Sequence, residues 1–439
     1  MSAGAYIDEE QKSLSEVHSS IPVPAGASFL RKLLAFSGPG YLVAVGYMDP
    51  GNWATDLAGG AKFGYSLLFV ILLSNLMAIL LQHLALKLGI ATGKDLAQMC
   101  RDNYSRPVRW VLWLMAEIMI IACDLAEVIG SAIALNLLFN IPLAFGVIIT
   151  AADVLIVLML QKKGFRYLEA LIITLIGTII VAFGLELFLS RPDIAPLLAG
   201  FIPTVAIFSD KEMLYIALGI IGATVMPHNL FLHSSVVQTR AYGRDLRGKK
   251  EAVKFATIDT VIALMGAFFV NSAILIMSAS VFHFSGYSDV ADIDKAYELL
   301  TPLLGTSLAS IVFALALLAS GQNSTLTGTL TGQIIMEGFL NIRIKPWMSR
   351  LFTRLLAIAP ALAVIIYFSD FGVGKLLILS QVVLSIQLPF AVIPLVMFTS
   401  NKKAMGEFTN KLWLKITSYV IAIFIVVLNA WLIYNLFLG

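Results

Sequence analysis

Long apolar stretches recur along this chain, separated by short polar breaks. A helix needs about 20 apolar residues to cross the roughly 30 Å hydrocarbon core of a bilayer. The pattern predicts eleven spans: Leu34–Leu57, Tyr65–Leu86, Val108–Phe139, Leu143–Leu160, Tyr167–Leu189, Met213–Gln238, Ala256–Phe282, Leu303–Ser320, Leu351–Phe368, Leu376–Phe398 and Leu412–Leu438. Ahead of them, residues 1–33 carry Asp8, Glu9, Glu10 and Glu16 and no early apolar run. That does not read as a cleavable secretory signal. It predicts a disordered cytoplasmic tail with an amphipathic start at Phe29–Leu34.

Composition agrees with a membrane chain. Hydrophobic residues make up 59% and charged residues 13%, against about 45–50% and about 25% in soluble domains. Two cysteines exclude a disulfide framework or a Cys-rich zinc site. With alternating spans, every Lys and Arg except Lys62, Arg191, Lys211, Lys295 and Lys375 falls on the side of the N-terminus. The positive-inside rule then puts the N-terminus in the cytoplasm and the C-terminus outside a plasma membrane crossed many times. These cations are scattered over short segments, which suits lipid headgroups and not nucleic acid.

Two spans are interrupted. The first reads Asp49-Pro50-Gly51-Asn52 and the sixth Met226-Pro227-His228-Asn229, both of the form x-Pro-x-Asn. Each opens a unit of five spans, 34–190 and 210–400, with residues 411–439 as an additional span. Five is odd, so the second unit is inverted. Matched interruptions in inverted repeats point to a binding site at the midplane. Proline has no N–H, so Pro227 deprives the Ala223 carbonyl, and Pro50 the Gly46 carbonyl, of a helical partner. Asp49 and Met226 are expected at the C-terminal ends of their half-helices, where unpaired carbonyls and partial negative charge gather. Together with the Asp49 carboxylate, those ends predict a cation site. Asp49 and Asn52 are hard oxygen donors, and Met226 adds a soft thioether. A mixed set favours manganese, iron and later divalent ions over calcium or magnesium.

These motifs resemble those of the Nramp family of proton-coupled divalent metal transporters. A third segment, Gly321–Gln333 running on to Met336-Glu337-Gly338-Phe339, is similar to the family's transport signature after span 8. The resemblance covers about residues 35–400. It implies an all-α fold like that of the leucine transporter, with helices 1 and 6 broken, and a bacterial importer of Mn²⁺ or Fe²⁺, with Co²⁺, Cd²⁺ and Zn²⁺ as further cargo. It implies metal contacts from Asp49, Asn52, Met226 and the Ala223 carbonyl, and from Gln381 in some states. An interhelical hydrogen bond is the plain alternative for Gln381. No resident cofactor is expected, and the chain is expected to work as a monomer.

Span 3 carries Glu117, Asp124 and Glu127 on one helical stripe, at i, i+7 and i+10. Stacked acids in a membrane helix face protein or water and often mark a proton route. The alternative is structural pairing with arginine, for which Arg350 and Arg354 at the start of span 9 are candidates. Those arginines also suit headgroup anchoring. The resemblance favours a proton route from the metal site through His228 and the acidic stripe. His83 and His233 read as structural. Asp56, one turn past Asn52, and Asp153, Glu186 and Asp259 have no motif around them. A sodium-coupled amino-acid carrier on the same architecture is the competing transporter. Hydrolase motifs such as Gly-x-Ser-x-Gly and His-Glu-x-x-His are missing from the sequence, which argues against an enzyme. Repeated filter motifs are missing too, which argues against a channel.

Overall fold

The computed structural model describes residues 13–14, 16–24, 26–150, 164–288, 290, 292–341, 346–368 and 373–437. The described helices of eight residues or more are α1 (Phe29–Phe36), α2 (Pro39–Gly46), α3 (Pro50–Phe63), α4 (Leu68–Thr92), α5 (Leu96–Asn103), α6 (Arg106–Phe139), α7 (Leu143–Thr150) and α8 (Phe165–Ser190). They continue as α9 (Lys211–Val225), α10 (Pro227–Val236), α11 (Leu246–Val281), α12 (Ile293–Leu304), α13 (Ser307–Leu340), α14 (Pro346–Phe368), α15 (Val373–Thr399) and α16 (Leu412–Phe437). Among the described residues, eight helical stretches are long and apolar enough to cross a membrane. Pro50–Thr92 counts as one of these, and α14 contributes a shorter apolar run, Arg354–Tyr367. The expected span Leu143–Leu160 is described only as far as Thr150, and Asp153 lies outside the described residues.

Both interruptions are real. The first helix stops at Gly46 and restarts at Pro50, and the sixth stops at Val225 and restarts at Pro227. The broken pairs lie at the centre of the bundle. α3 packs against α11, α9 and α15, and α10 packs against α4, α13 and α15.

Three expectations need correction. Span 8 does not end at Ser320, because α13 runs unbroken to Leu340 and contains the Gly- and Thr-rich segment. Hydropathy missed this because Gly321, Asn323, Thr325 and Gly328 are buried, and α13 lies along α6. A polar helix face survives at that depth when protein covers it.

The tail is not disordered throughout. Leu14 is buried, and its N–H donates to Glu337 Oε2 at 3.0 Å. Gln333 Nε2 reaches Glu16 Oε1 at 3.1 Å. Ser19 N–H donates to the Gln238 carbonyl at 3.0 Å. Ile21–Pro22 (β1) pairs in parallel with Arg240–Ala241 (β2).

Arg240 is no headgroup anchor either. It is fully buried and donates to Glu169 Oε1 at 2.6 Å, to the Ser37 carbonyl at 2.7 Å and to the Ala35 carbonyl at 3.1 Å. A buried charge persists only when paired and hydrogen-bonded. Net charge counts could not separate such an arginine from its exposed neighbours.

Candidate metal centre

Asp49 follows a failed helical turn. Tyr47 N–H bonds back to the Ala44 carbonyl at 3.1 Å, and Met48 N–H to Val45 at 2.9 Å. The ladder then stops, because Pro50 can donate nothing. Asp49 sits in extended backbone, and its Oδ1 accepts the Asn52 N–H at 2.8 Å. This corrects the expectation that Asp49 ends the first half-helix. It caps the N-terminus of the second, where Asp is a preferred residue and the helix dipole favours its charge. Asp-Pro at N-cap and N1 is a signal the sequence carried.

Met226 joins α9 to α10 at φ 20° and ψ 104°. A side chain at such angles costs on the order of 1–3 kcal/mol and persists only where its surroundings hold it. Ala223 lies three residues back, and its helical donor would be Pro227. Neither the Ala223 nor the Gly46 carbonyl accepts a hydrogen bond among the described residues.

The two breaks face each other. A β-carbon on Gly46 would stand 3.1 Å from Met226 Sδ and would clash with the Asn229 amide. A β-carbon on Gly51 would fall within the Gln381 side chain. Only glycine lets α15 and the second break come this close. Asp49, Asn52, Ala223, Met226 and Gln381 are all buried. Asp49 Oδ2, Asn52 Oδ1 and Gln381 Oε1 are buried oxygens without a hydrogen-bond partner. Gln381 Nε2 spends one donor on Ser380 Oγ at 3.1 Å. Buried polar atoms are nearly always partnered, so acceptors orphaned together call for an electrophile. Among the described residues no three His, Cys, Asp or Glu side chains gather as in a structural metal site. One carboxylate with neutral donors suits an ion that must leave again.

Two carbonyls of the first break have side-chain donors. Asn229 Nδ2 donates to the Val43 carbonyl at 3.2 Å. The Met48 carbonyl accepts from Ser320 Oγ at 2.5 Å and from Trp53 Nε1 at 3.3 Å. Asn229 therefore stands at the break as a tie, with Pro50, Gly51 and Pro227 shaping it.

The acidic stripe runs out from this centre. His228 is buried, with Nδ1 unpartnered and Nε2 3.8 Å from Cys123 Sγ. Cys123 Sγ is 3.4 Å from Glu127 Oε1. Arg354 Nη1 lies 3.2 Å from Glu127 Oε2 and 3.9 Å from Asp124 Oδ1, and Nη2 donates to Thr325 Oγ1 at 3.1 Å. Arg354 is buried, so its reading as a headgroup anchor falls and its reading as a partner of the acids holds. The Arg350 side chain lies outside the described residues. Glu117 is half-buried, two turns before Asp124, with one carboxylate oxygen lacking a partner.

Sequence reasoning gave no role to Cys123, the contact between His228 and Glu127. It also missed Gly328, where a β-carbon would stand 2.9 Å from Glu127 Oε1. His83 and His233 are hydrogen-bonded to Thr257 Oγ1 and Gln82 Oε1, each at 2.9 Å. Asp259 accepts the Gly40 N–H at 2.7 Å. Glu186 and Asp56 are buried with carboxylate oxygens lacking partners.

Residues 40–435 match the family model described as natural resistance-associated macrophage protein-like. A divalent metal cation transporter MntH from Nostoc sp. is 63% identical, covering 97% of this chain and 96% of that one. The crystal structure of the Eremococcus coleocola manganese transporter, bound to an aromatic bis-isothiourea compound, is 42% identical with a TM-score of 0.87, covering 95% and 90%. Mhp1, a nucleobase-cation-symport-1 family transporter, matches with a TM-score of 0.60 at 13% identity over 95% and 96%, which shows a shared fold alone.

Proposed function

The chain belongs to the Nramp family, and we propose that it imports divalent transition metals, Mn²⁺ and Fe²⁺, together with protons by alternating access. The observation that carries this reading is the set of orphaned buried oxygens beside a thioether, where the two broken helices meet. A divalent ion would draw on Asp49 Oδ2, Asn52 Oδ1, the Ala223 carbonyl, Met226 Sδ and Gln381 Oε1. The carboxylate supplies the charge, and the dipole of α3 tempers it. The thioether disfavours Ca²⁺ and Mg²⁺, which take oxygen alone. Relatives named as metal cation and manganese transporters support the same cargo.

Proton movement is assigned to the neighbouring chain of His228, Cys123, Glu127, Arg354 and Asp124. A cation arriving at Asp49 raises the local potential by which a proton on this chain is held, so the two cargoes are coupled without sharing ligands. Rocking of the half-helices about Gly46–Asp49 and Met226 would open the site to each side in turn. The family and the apolar helices give a multi-pass membrane protein. The cytoplasmic N-terminus and the monomeric state are part of the proposal.

A sodium-coupled amino-acid carrier fits less well. Such a carrier aims a half-helix N-terminus at the substrate carboxylate. Here Asp49 already occupies the N-terminus of α3, and buried Met226 and His228 fill the second break. The deciding experiment is uptake by sealed liposomes carrying the purified chain. Saturable Mn²⁺ entry with internal acidification supports the proposal. Sodium-dependent amino-acid entry without Mn²⁺ transport would replace it.

A further inference from the structure

A cavity of about 450 Å³ opens between the end of α5, the start of α6 and the end of α13. Its walls include Arg101, Asp102, Arg106, Arg109, Trp110 and Asn341. We propose that it binds the phosphate headgroup of an anionic phospholipid.

The charge of the cavity is unbalanced. Asp102 is its one acid, and that carboxylate is already engaged by Lys94 Nζ at 2.7 Å and Arg101 Nε at 3.1 Å. Arg101 Nη1 has no hydrogen-bond partner. Arg106 and Arg109 enter no ion pair among the described residues. Three guanidiniums thus converge on a space with little negative charge left. Arginine's planar fork matches phosphate oxygens.

The start of α6 adds a second attraction. Its N-cap, Ser105, makes no side-chain cap hydrogen bond, and Pro107 has no N–H, so the N–H groups of Arg106 and Val108 at the start of a 34-residue helix are left for another acceptor. An anion at a helix N-terminus gains from both the free N–H groups and the dipole.

The apolar surroundings select a lipid over a free anion. Beyond the arginines, α6 turns an apolar face outward, with Val108 43%, Val111 52% and Leu114 50% exposed. Trp110 stands at the junction, 43% exposed and edge-on to Trp113 at 5.3 Å. Tryptophan collects at the level where headgroup meets acyl chain. A headgroup in the cavity would lay its chains along this face, whereas a free phosphate has no use for it. Basic pockets between membrane helices bind anionic headgroups by this logic. The lipid would then tie α5 to α6 and α13, the two helices that carry the acidic stripe and the glycine beside it.

The test is native mass spectrometry of the full purified chain in neutral detergent. The probes are phosphatidylglycerol and phosphatidylcholine with the same acyl chains. Wild type is expected to retain phosphatidylglycerol at least tenfold better. Arg106→Gln and Arg109→Gln should each weaken that retention about fivefold, as expected for one cation at an anionic headgroup. Their combination should bring the two lipids within twofold of each other. Lys402→Gln with Lys403→Gln, a basic pair elsewhere on the surface, should change nothing. Arg106 is exposed, so its single variant tests the proposal even if the double variant does not fold. Equal retention of both lipids by wild type, or a preference surviving in the arginine variants, would overturn the proposal. So would millimolar inorganic phosphate that displaces the lipid and binds with the same arginine dependence, since the cavity would then be a free-anion site.

Discussion

Asn229 in the second broken helix donates its side-chain amide to the Val43 carbonyl in the first, at 3.2 Å. Val43 would ordinarily accept from Tyr47, four residues on, but that N–H turns back to Ala44. The amide of one repeat therefore supplies the donor that the other repeat has lost. Asn52, at the matching place in the first motif, keeps its oxygen unpartnered beside Asp49. The same x-Pro-x-Asn pattern has split into a proposed ligand in one half and a tie in the other.

Asn229→Ala removes the tie and leaves a buried carbonyl unpaired, which costs about 1–3 kcal/mol. The thermal midpoint in detergent should fall by several degrees, and Mn²⁺ affinity should fall with it as the two breaks lose register. A midpoint equal to wild type would mean that another group or water satisfies Val43.

Asp49 caps α3 and is the proposed charged ligand, and two substitutions separate these tasks. Asp49→Asn keeps an acceptor for the Asn52 N–H but removes the charge. Asp49→Ala removes both, and loss of a cap costs about 1 kcal/mol. Calorimetry should find no measurable Mn²⁺ binding in either variant, because neutral oxygens hold a divalent ion poorly against its hydration. Only Asp49→Ala should also lose stability. Near-normal affinity in Asp49→Asn would remove the carboxylate from the ligand set.

Met226→Ala tests selectivity. The thioether is the group that Ca²⁺ and Mg²⁺ use poorly, so its removal should weaken Mn²⁺ uptake and let Ca²⁺ compete. Alanine still carries a β-carbon, so the strained φ of 20° stays unfavourable, and competition is a better readout than stability. Mn²⁺ uptake that falls while Ca²⁺ competition stays unchanged would make Met226 a packing residue.

The breaks were legible in the sequence because proline acts locally. It removes a donor wherever it stands, so Pro50 and Pro227 mark the interruptions without tertiary information. The side of the break that Asp49 serves is less legible, because Asp before Pro fits both the end of one half-helix and the N-cap of the next. The acids of span 3 were legible from helical spacing, but their pairing was not. Arg354 comes from α14, and nothing local separates a buried arginine from a headgroup anchor. Arg240 shows the same limit more sharply, since its partners lie on α8 and at the C-terminal end of α1. The lower half of α13 was lost to hydropathy because its polar face is covered by α6, and packing of that kind is written in the partner helix.

A chain of polar contacts joins His228 to Asp124 through Cys123, Glu127 and Arg354. Glu127 is its middle member, 3.4 Å from Cys123 on the His228 side and 3.2 Å from Arg354 on the other. Glu127→Gln keeps the shape and removes titration, and Asp124→Asn does the same beyond Arg354. Both variants should bind Mn²⁺ within a few-fold of wild type, because neither side chain belongs to the ligand set. Proton entry accompanying Mn²⁺ should fall at least tenfold, and uptake should lose its dependence on external pH. Gly328→Ala reaches the same carboxylate by force alone. Its β-carbon would stand 2.9 Å from Glu127 Oε1, closer than carbon and oxygen tolerate, so the carboxylate must move from Cys123 or from Arg354. No titratable group is lost, yet proton flux should drop as it does in Glu127→Gln. Parallel recording of Mn²⁺ and H⁺ flux in liposomes compares the three variants directly. Proton flux that survives in all three would make the Arg354 cluster a structural brace and leave the protons to travel with the metal.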